Sequence, residues 1–196
     1  MRGIFRTNKP IVFFAVLLLA IITGCAHYSL VKASKNVEIG KAFTVSTSVD
    51  WSKSQLYGIE TWTINGPQLE RLMFFDGVKN GKPLFEVKRQ DEKKMPIYKS
   101  SMSSIEIKEL FEATLARNGA YKITTENFKP SKFGVLQGFK FEFTYATKNG
   151  LRYKGLVLGA KEKERLIAIM YIGTALYHYS DSLDEVENII SSVKIY

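Results

Sequence analysis

One cysteine and two histidines are all this chain offers to a disulfide or a soft metal. A lone thiol cannot close a bridge within the chain. A tetrahedral metal site wants several Cys or His ligands, and His27 and His178 stand far apart with none to join them. No metal and no other cofactor is expected. A G-x-S-x-G nucleophile elbow is missing too. The first 24 residues hold no acidic group, only Arg2, Arg6 and Lys9. No apolar run is long enough to cross a bilayer. The run at residues 11–22 would form a helix of roughly 18 Å, against a hydrocarbon core of roughly 30 Å.

A basic start, a short apolar centre and small residues at its end make a secretory signal. The run closes in Ile22-Thr23-Gly24-Cys25, which resembles the lipobox of bacterial lipoproteins. That resemblance implies cleavage before Cys25, a thioether from Cys25 to diacylglycerol, and acylation of the new amino group. Each buried CH₂ contributes about 0.8 kcal/mol, so several acyl chains give a stable anchor. The rival reading of Cys25 is a reactive or disulfide-forming thiol. In lipoproteins of this kind an Asp after the cysteine marks inner-membrane retention. Here Ala26 follows, so the expected address in a two-membraned host is the outer membrane, facing the periplasm. The chain then divides into a signal peptide (1–24), a lipidated tether (25–41) and a single α+β domain (42–196).

Cleavage would remove three of 28 basic residues and none of 19 acidic ones, leaving the mature chain basic. The excess gathers at residues 79–99, where seven basic groups face three acidic ones. Gly81, Pro83 and Pro96 make this a long loop, with a short strand at 84–87. It is either a solvated connection or a basic finger, with Lys88, Arg89, Lys93 and Lys94 meeting anionic lipid headgroups or an acidic partner. Nucleic acid is not an expected partner for an exported chain.

Strand patterns fall at 36–39, 43–48, 60–64 and 69–75, the last after an Asn65-Gly66-Pro67 turn. Ser103 and Glu106 form an S-x-x-E capping box. Ile107, Leu110, Phe111, Thr114 and Leu115 then make one helical stripe, which Asn118-Gly119 ends. Strands follow at 121–128, 139–145, 151–159 and 166–172. Phe139, Phe141, Phe143 and Tyr145 alternate with polar residues, Asn149-Gly150 turns a hairpin, and the last strand is apolar throughout. Such a strand is covered on both faces and belongs at the centre of a sheet. A second S-x-x-E, Ser182 to Glu185, opens a final helix with Leu183, Val186, Ile190 and Val193 inward. The fold class is α+β, a mainly antiparallel sheet with helices packed on it in a three-layer α/β/α sandwich.

In this order, "FTVSTSVDW", "FKFEFTYATKNGLRYKGLVL", "LIAIMYI" and "LDEVENIISSVKI" resemble the PsbP-like fold, named for an extrinsic subunit of photosystem II. The likeness covers residues 41–196. It departs at Trp51, which no Pro-Gly-like turn precedes, and in the length of the basic loop. The resemblance implies a binding or assembly module, not a catalyst.

Few residues invite chemistry. His178, with Asp181 and Asp184 nearby, reads as a loop residue beside Tyr177 and Tyr179, its acids favouring the positive end of the last helix. Gly155 and Gly159 let a helix or an aromatic ring approach the sheet. Glu60, Asp76 and Glu142 could serve as acid and base only if the fold gathers them. Tyr57, Trp62, Phe74, Phe75, Phe139, Phe141, Phe143 and Tyr145 either pack a core or line a pocket. Three functions remain open: a non-catalytic envelope binding module held to the membrane by lipid, a carrier or sensor of a small apolar ligand, and a hydrolase of envelope polymers. The first is expected, with a protein or an anionic envelope component as partner.

Overall fold

The computed structural model describes residues 28–85 and 95–196. Cys25 and the basic cluster Lys88, Arg89, Lys93 and Lys94 lie outside the described residues, as does His27. Eleven strands are described: β1 (Ser29–Val31), β2 (Ser34–Ile39), β3 (Phe43–Thr47), β4 (Trp51–Leu56), β5 (Ile59–Thr63), β6 (Glu70–Val78), β7 (Tyr121–Phe133), β8 (Leu136–Ala146), β9 (Arg152–Glu162), β10 (Arg165–Thr174) and β11 (Lys194–Ile195). Three helices accompany them: α1 (Ser104–Arg117), α2 (His178–Asp181) and α3 (Leu183–Ser191).

Eight strands pair in the order β1-β4-β5-β6-β10-β9-β8-β7, and β11-β3-β2 form a second sheet. Every pairing is antiparallel. The apolar run at 166–172 is β10, between β6 and β9 in the middle of the large sheet. Its residues Leu166–Ile172 are buried whichever way they point. Each face therefore needs its own apolar layer. Ala168, Met170 and Ile172 join Phe139, Phe141 and Phe143 beneath Ile107, Leu110, Phe111 and Leu115 of α1. Ile167, Ile169 and Tyr171 face the other way, with Trp51, Trp62 and Phe74, against Phe43 and Val45 of the small sheet and Val186 and Ile189 of α3. The fold is α+β with a mainly antiparallel sheet. Its layers, however, are not helix–sheet–helix throughout, because the layer opposite α1 is mostly the small sheet with one nine-residue helix.

Residues 29–39 are paired strands, β1 on the edge of the large sheet and β2 in the small one. They fall within the 25–41 segment read as tether, so the fold takes in most of it. Strand β4 carries little apolar pattern, "WSKSQL". It sits next to the edge, where only Trp51 must be buried. Residues Leu84 and Phe85, expected in a strand, are bends with buried side chains, and the local pairing is a bridge from Pro83 to Ile97.

The first capping box forms as expected. The Ser103 hydroxyl accepts from the Glu106 N–H at 3.3 Å, and the Glu106 carboxylate accepts from the Ser103 N–H at 2.7 Å. Those bonds hold the Glu106 carboxyl below its usual range. The second does not form: Ser182 makes no side-chain cap bond. Glu185 instead accepts from the Thr47 hydroxyl and the Ser48 N–H, each at 2.8 Å, and from the Ser48 hydroxyl, tying α3 to the end of β3. The Asn149-Gly150 turn is a three-residue loop closed by Thr147 N–H to Leu151 O at 2.9 Å. Gly150 takes its left-handed position at φ 81°.

Strand β7 is an exposed edge. Register shifts near Lys122 and Asn127, both at positive φ, break its ladder. Pro130, Lys129 and Lys132 deny a stranger regular pairing there.

Gly155 and Gly159 on β9 face Phe143 and Phe139 of β8. A Cβ at Gly159 would lie 2.7 Å from the Phe139 ring, and one at Gly155 would lie 2.3 Å from the Phe143 ring. The rings fold over the space that side chains would fill. Gly159→Ala should cost about 1–3 kcal/mol in urea denaturation. Adding Phe139→Leu should recover part of that loss, whereas additive effects would separate the two positions.

Candidate functional site

Helix α1 is 14 residues long, about 21 Å at 1.5 Å per residue. It does not reach the end of the sheet it covers. Beyond its cap at Asn118-Gly119 lies a cavity of about 230 Å³, lined by Tyr57, Gln68, Arg71, Met73, Phe85, Leu115, Asn118, Gly119, Ala120, Tyr145, Thr147 and Tyr153. The floor is the sheet itself. Tyr145 and Tyr153 are register partners on β8 and β9 and stack at 5.0 Å with 13° between their planes.

Arg71 brings a charge to an inward position, since 71, 73 and 75 alternate onto the face that buries Met73 and Phe75. Its Nη1 donates to Pro67 O at 3.0 Å and its Nη2 reaches the Tyr145 hydroxyl at 3.4 Å. The Tyr153 hydroxyl donates to Gln68 O at 2.7 Å. Burial pushes the Tyr145 phenol above its usual range, and the Arg71 charge partly opposes that rise. Among the described residues no carboxylate forms an ion pair with Arg71.

A second, wider groove of about 500 Å³ runs between the β7–β8 turn, the end of α3 and β11. Lys132, Lys140, Lys194 and Glu187 are its charged residues. Lys140 is bound to Glu187 and Lys194 to Asn36, so two of the three cations already have partners.

One end of the large sheet is ringed by loops whose apolar side chains face water. Thr174 N–H donates to Leu69 O and Ala175 N–H to Arg152 O, each at 2.9 Å. These bonds hold the 64–69, 147–151 and 175–177 loops side by side. Leu69, Leu151, Tyr177 and Ile64 are exposed there, and Leu176 is 97% exposed. Lys148 and Arg152 are the exposed cations beside them.

The acids do not converge. Glu60 on β5 accepts from Trp62 Nε1 at 2.8 Å and lies 3.6 Å from Lys53 Nζ. Glu142 on β8 bonds Asn127. Four strand spacings, about 19 Å, separate β5 from β8. Asp76 sits against the β2–β3 turn at Gly40. His178 opens α2 and meets Tyr177 edge-on at 5.1 Å, while Tyr179 stacks on Tyr171 and not on the imidazole. The Asp181 carboxylate nearby holds the Tyr177 phenol above its usual range. Among the described residues, no group of three His, Cys, Asp or Glu could hold a metal, and no helix is long and apolar enough to cross a membrane.

Of the aromatic set, Trp62, Phe74, Phe75, Phe139, Phe141 and Phe143 are core, while Tyr57 and Tyr145 line the cavity. Arg71 was no candidate from the sequence. The signal that could have found it is its inward parity in "ERLMFF".

No protein-family model and no curated protein matches the chain. Among solved structures it is similar to the solution structure of cyanobacterial PsbP (CyanoP) from Synechocystis sp. PCC 6803. The TM-score is 0.55 at 11% identity, over 89% of this chain and 96% of that one. At that identity the likeness shows the fold alone, and the fold is PsbP-like.

Burial also pushes the Tyr171 phenol well above its usual range; its hydroxyl donates to His178 O at 2.7 Å. Unfolded phenols ionise near pH 10. The stability that Tyr145 and Tyr171 contribute is thus full below pH 10 and is lost as pH rises toward their folded values. Absorbance titration at 295 nm should show Tyr145, Tyr171 and Tyr179, whose phenols burial raises, ionising only as far-UV circular dichroism collapses. All ten tyrosines ionising together in a folded chain would contradict this.

Proposed function

We propose that this chain is a non-catalytic binding module of the cell envelope, held to its membrane by lipid on Cys25, with another envelope component as partner. The lipobox at Ile22-Thr23-Gly24-Cys25 supports the anchor. The observation that carries the binding role is the apolar end of the sheet. Leu69, Leu151, Leu176 and Tyr177 are uncovered there, on loops tied to one another by backbone hydrogen bonds. Exposed aliphatic and aromatic anchors that lose little freedom on docking are what an interface core requires. Lys148 and Arg152 beside them suit a protein with an apolar cleft and an acidic rim. The cluster Lys88, Arg89, Lys93 and Lys94 supplies a second contact, to an anionic surface. Fixed to a two-membraned cell's outer membrane, the module would face the periplasm.

A second reading, a carrier or sensor of a small ligand, is supported by the cavity beyond α1. A hydrolase would need an acid pair facing a groove. Among the described residues that line the two cavities, Glu187 is the one acid, and it is bound to Lys140.

Cys25→Ser should abolish labelled palmitate incorporation and release the chain from sedimenting envelopes; retention of both would end the anchor reading. Leu176→Asp should leave the thermal midpoint unchanged and cut recovery of a cross-linked protein partner from envelopes by about tenfold or more, as loss of one interface anchor does. Unchanged recovery would remove the apolar end from the interface. Partner loss only on charge reversal at Lys88, Arg89, Lys93 and Lys94 would assign binding to the basic cluster.

A further inference from the structure

We propose that the cavity at the C-terminus of α1 takes a small carboxylate with a flat apolar body, the carboxylate on Arg71 and the body against the aromatic walls. The inference rests on the carrier reading and names the ligand's chemistry.

Three observations meet there. The first is the guanidinium. Removing a cation from water is expensive unless a counter-charge and hydrogen bonds replace the lost solvent. Arg71 is half-buried, and its two bonds go to neutral oxygens, one of them long. A guanidinium carries five donors in a planar fork that matches a carboxylate. An anion entering the cavity would supply the charge that the described residues do not.

The second is the walls. The stacked Tyr145–Tyr153 pair and Phe85 line it, and none of the described residues on its wall is a carboxylate. A volume near 230 Å³ equals that of roughly eight waters. It suits a single ring with its carboxylate.

The third is Tyr57. Leu56 and Ile59 are register partners, so Tyr57-Gly58 is a two-residue hairpin loop with φ values of 54° and 73°. Such a loop ordinarily takes Asn or Gly first. A tyrosine in left-handed backbone is sterically disfavoured. That strain places its ring 5.8 Å from Phe85 and on the cavity wall.

The test uses the full chain in a neutral detergent, with amide ¹⁵N shifts read during titration with benzoate, benzyl alcohol and inorganic phosphate. Benzoate should move the amides of Asn118, Gly119, Ala120 and Thr147 saturably. Benzyl alcohol and phosphate should bind about tenfold or more weakly, the loss expected when a charge-assisted bond or the apolar contact is missing. Arg71→Gln should weaken benzoate by a similar factor. If benzyl alcohol binds as tightly as benzoate, or Arg71→Gln changes nothing, the anionic assignment falls and the carrier reading stands. If phosphate matches benzoate, the apolar body is refuted. If no probe moves these amides, both the assignment and the carrier reading fall. Should Arg71→Gln fail to fold, Ala120→Trp fills the cavity and leaves the guanidinium in place. It should abolish the benzoate shift at Thr147, and persistence of that shift would overturn the proposal.

Discussion

Strand β10 has no wet side. Its backbone donors and acceptors are taken by β6 and β9, and its side chains are buried in both directions. A strand in that state is stable only if each face is covered by an apolar layer of its own. The rest of the molecule supplies the two covers. Helix α1 closes one face, and the small sheet with α3 closes the other. The termini of the fold meet in the second cover, where β11 pairs with β3 and β2 lies on β3's other side. Strand β11 therefore completes a layer begun by β2 and β3.

The two covers are not equal in kind. On the α1 side the sheet contributes most of the bulk itself. Phe139, Phe141, Phe143 and Tyr145 run down β8 in successive ring contacts of 6.1–6.3 Å, over a β9 that has glycine where the rings press. One helix of moderate length can close such a surface. Because that helix stops short, the end of the aromatic row stays open, and the cavity with Arg71 is what remains. The cavity follows from helix length as much as from the residues that line it.

Polar groups serve mainly to tie elements together. Glu185 secures α3 to β3, and Glu112 holds Lys108 and the Thr125 hydroxyl, linking α1 to β7. Glu70 is fully buried, accepting from the Thr63 hydroxyl and the Ile64 and Asn65 N–H groups to shape the loop before β6. That loop holds one side of the exposed apolar end. Glu60 and Glu142 are likewise engaged, with Trp62 and Lys53 and with Asn127, on strands four positions apart. Arg71 differs, being a charge on an inward face with no carboxylate among the described residues to answer it.

Periodicity and short-range bonding were legible in the chain alone. The α1 capping box closes within four residues, so Ser103 and Glu106 suffice to announce it. The alternation at 139–145 and the unbroken run at 166–172 identified an amphipathic strand and a doubly buried one. Element order then pointed to the PsbP-like fold that the structural likeness shows. Tertiary structure decided what sequence spacing does not encode, namely which distant group each side chain meets. The same S-x-x-E pattern caps α1 but not α3, because Glu185 finds Thr47 and Ser48 at the end of β3. A polar strand such as β4 exists because Trp51 has a core to enter and β5 to pair with. Only β8, β9 and the end of α1 together turn Arg71, an unremarkable charge in an apolar run, into the wall of a cavity.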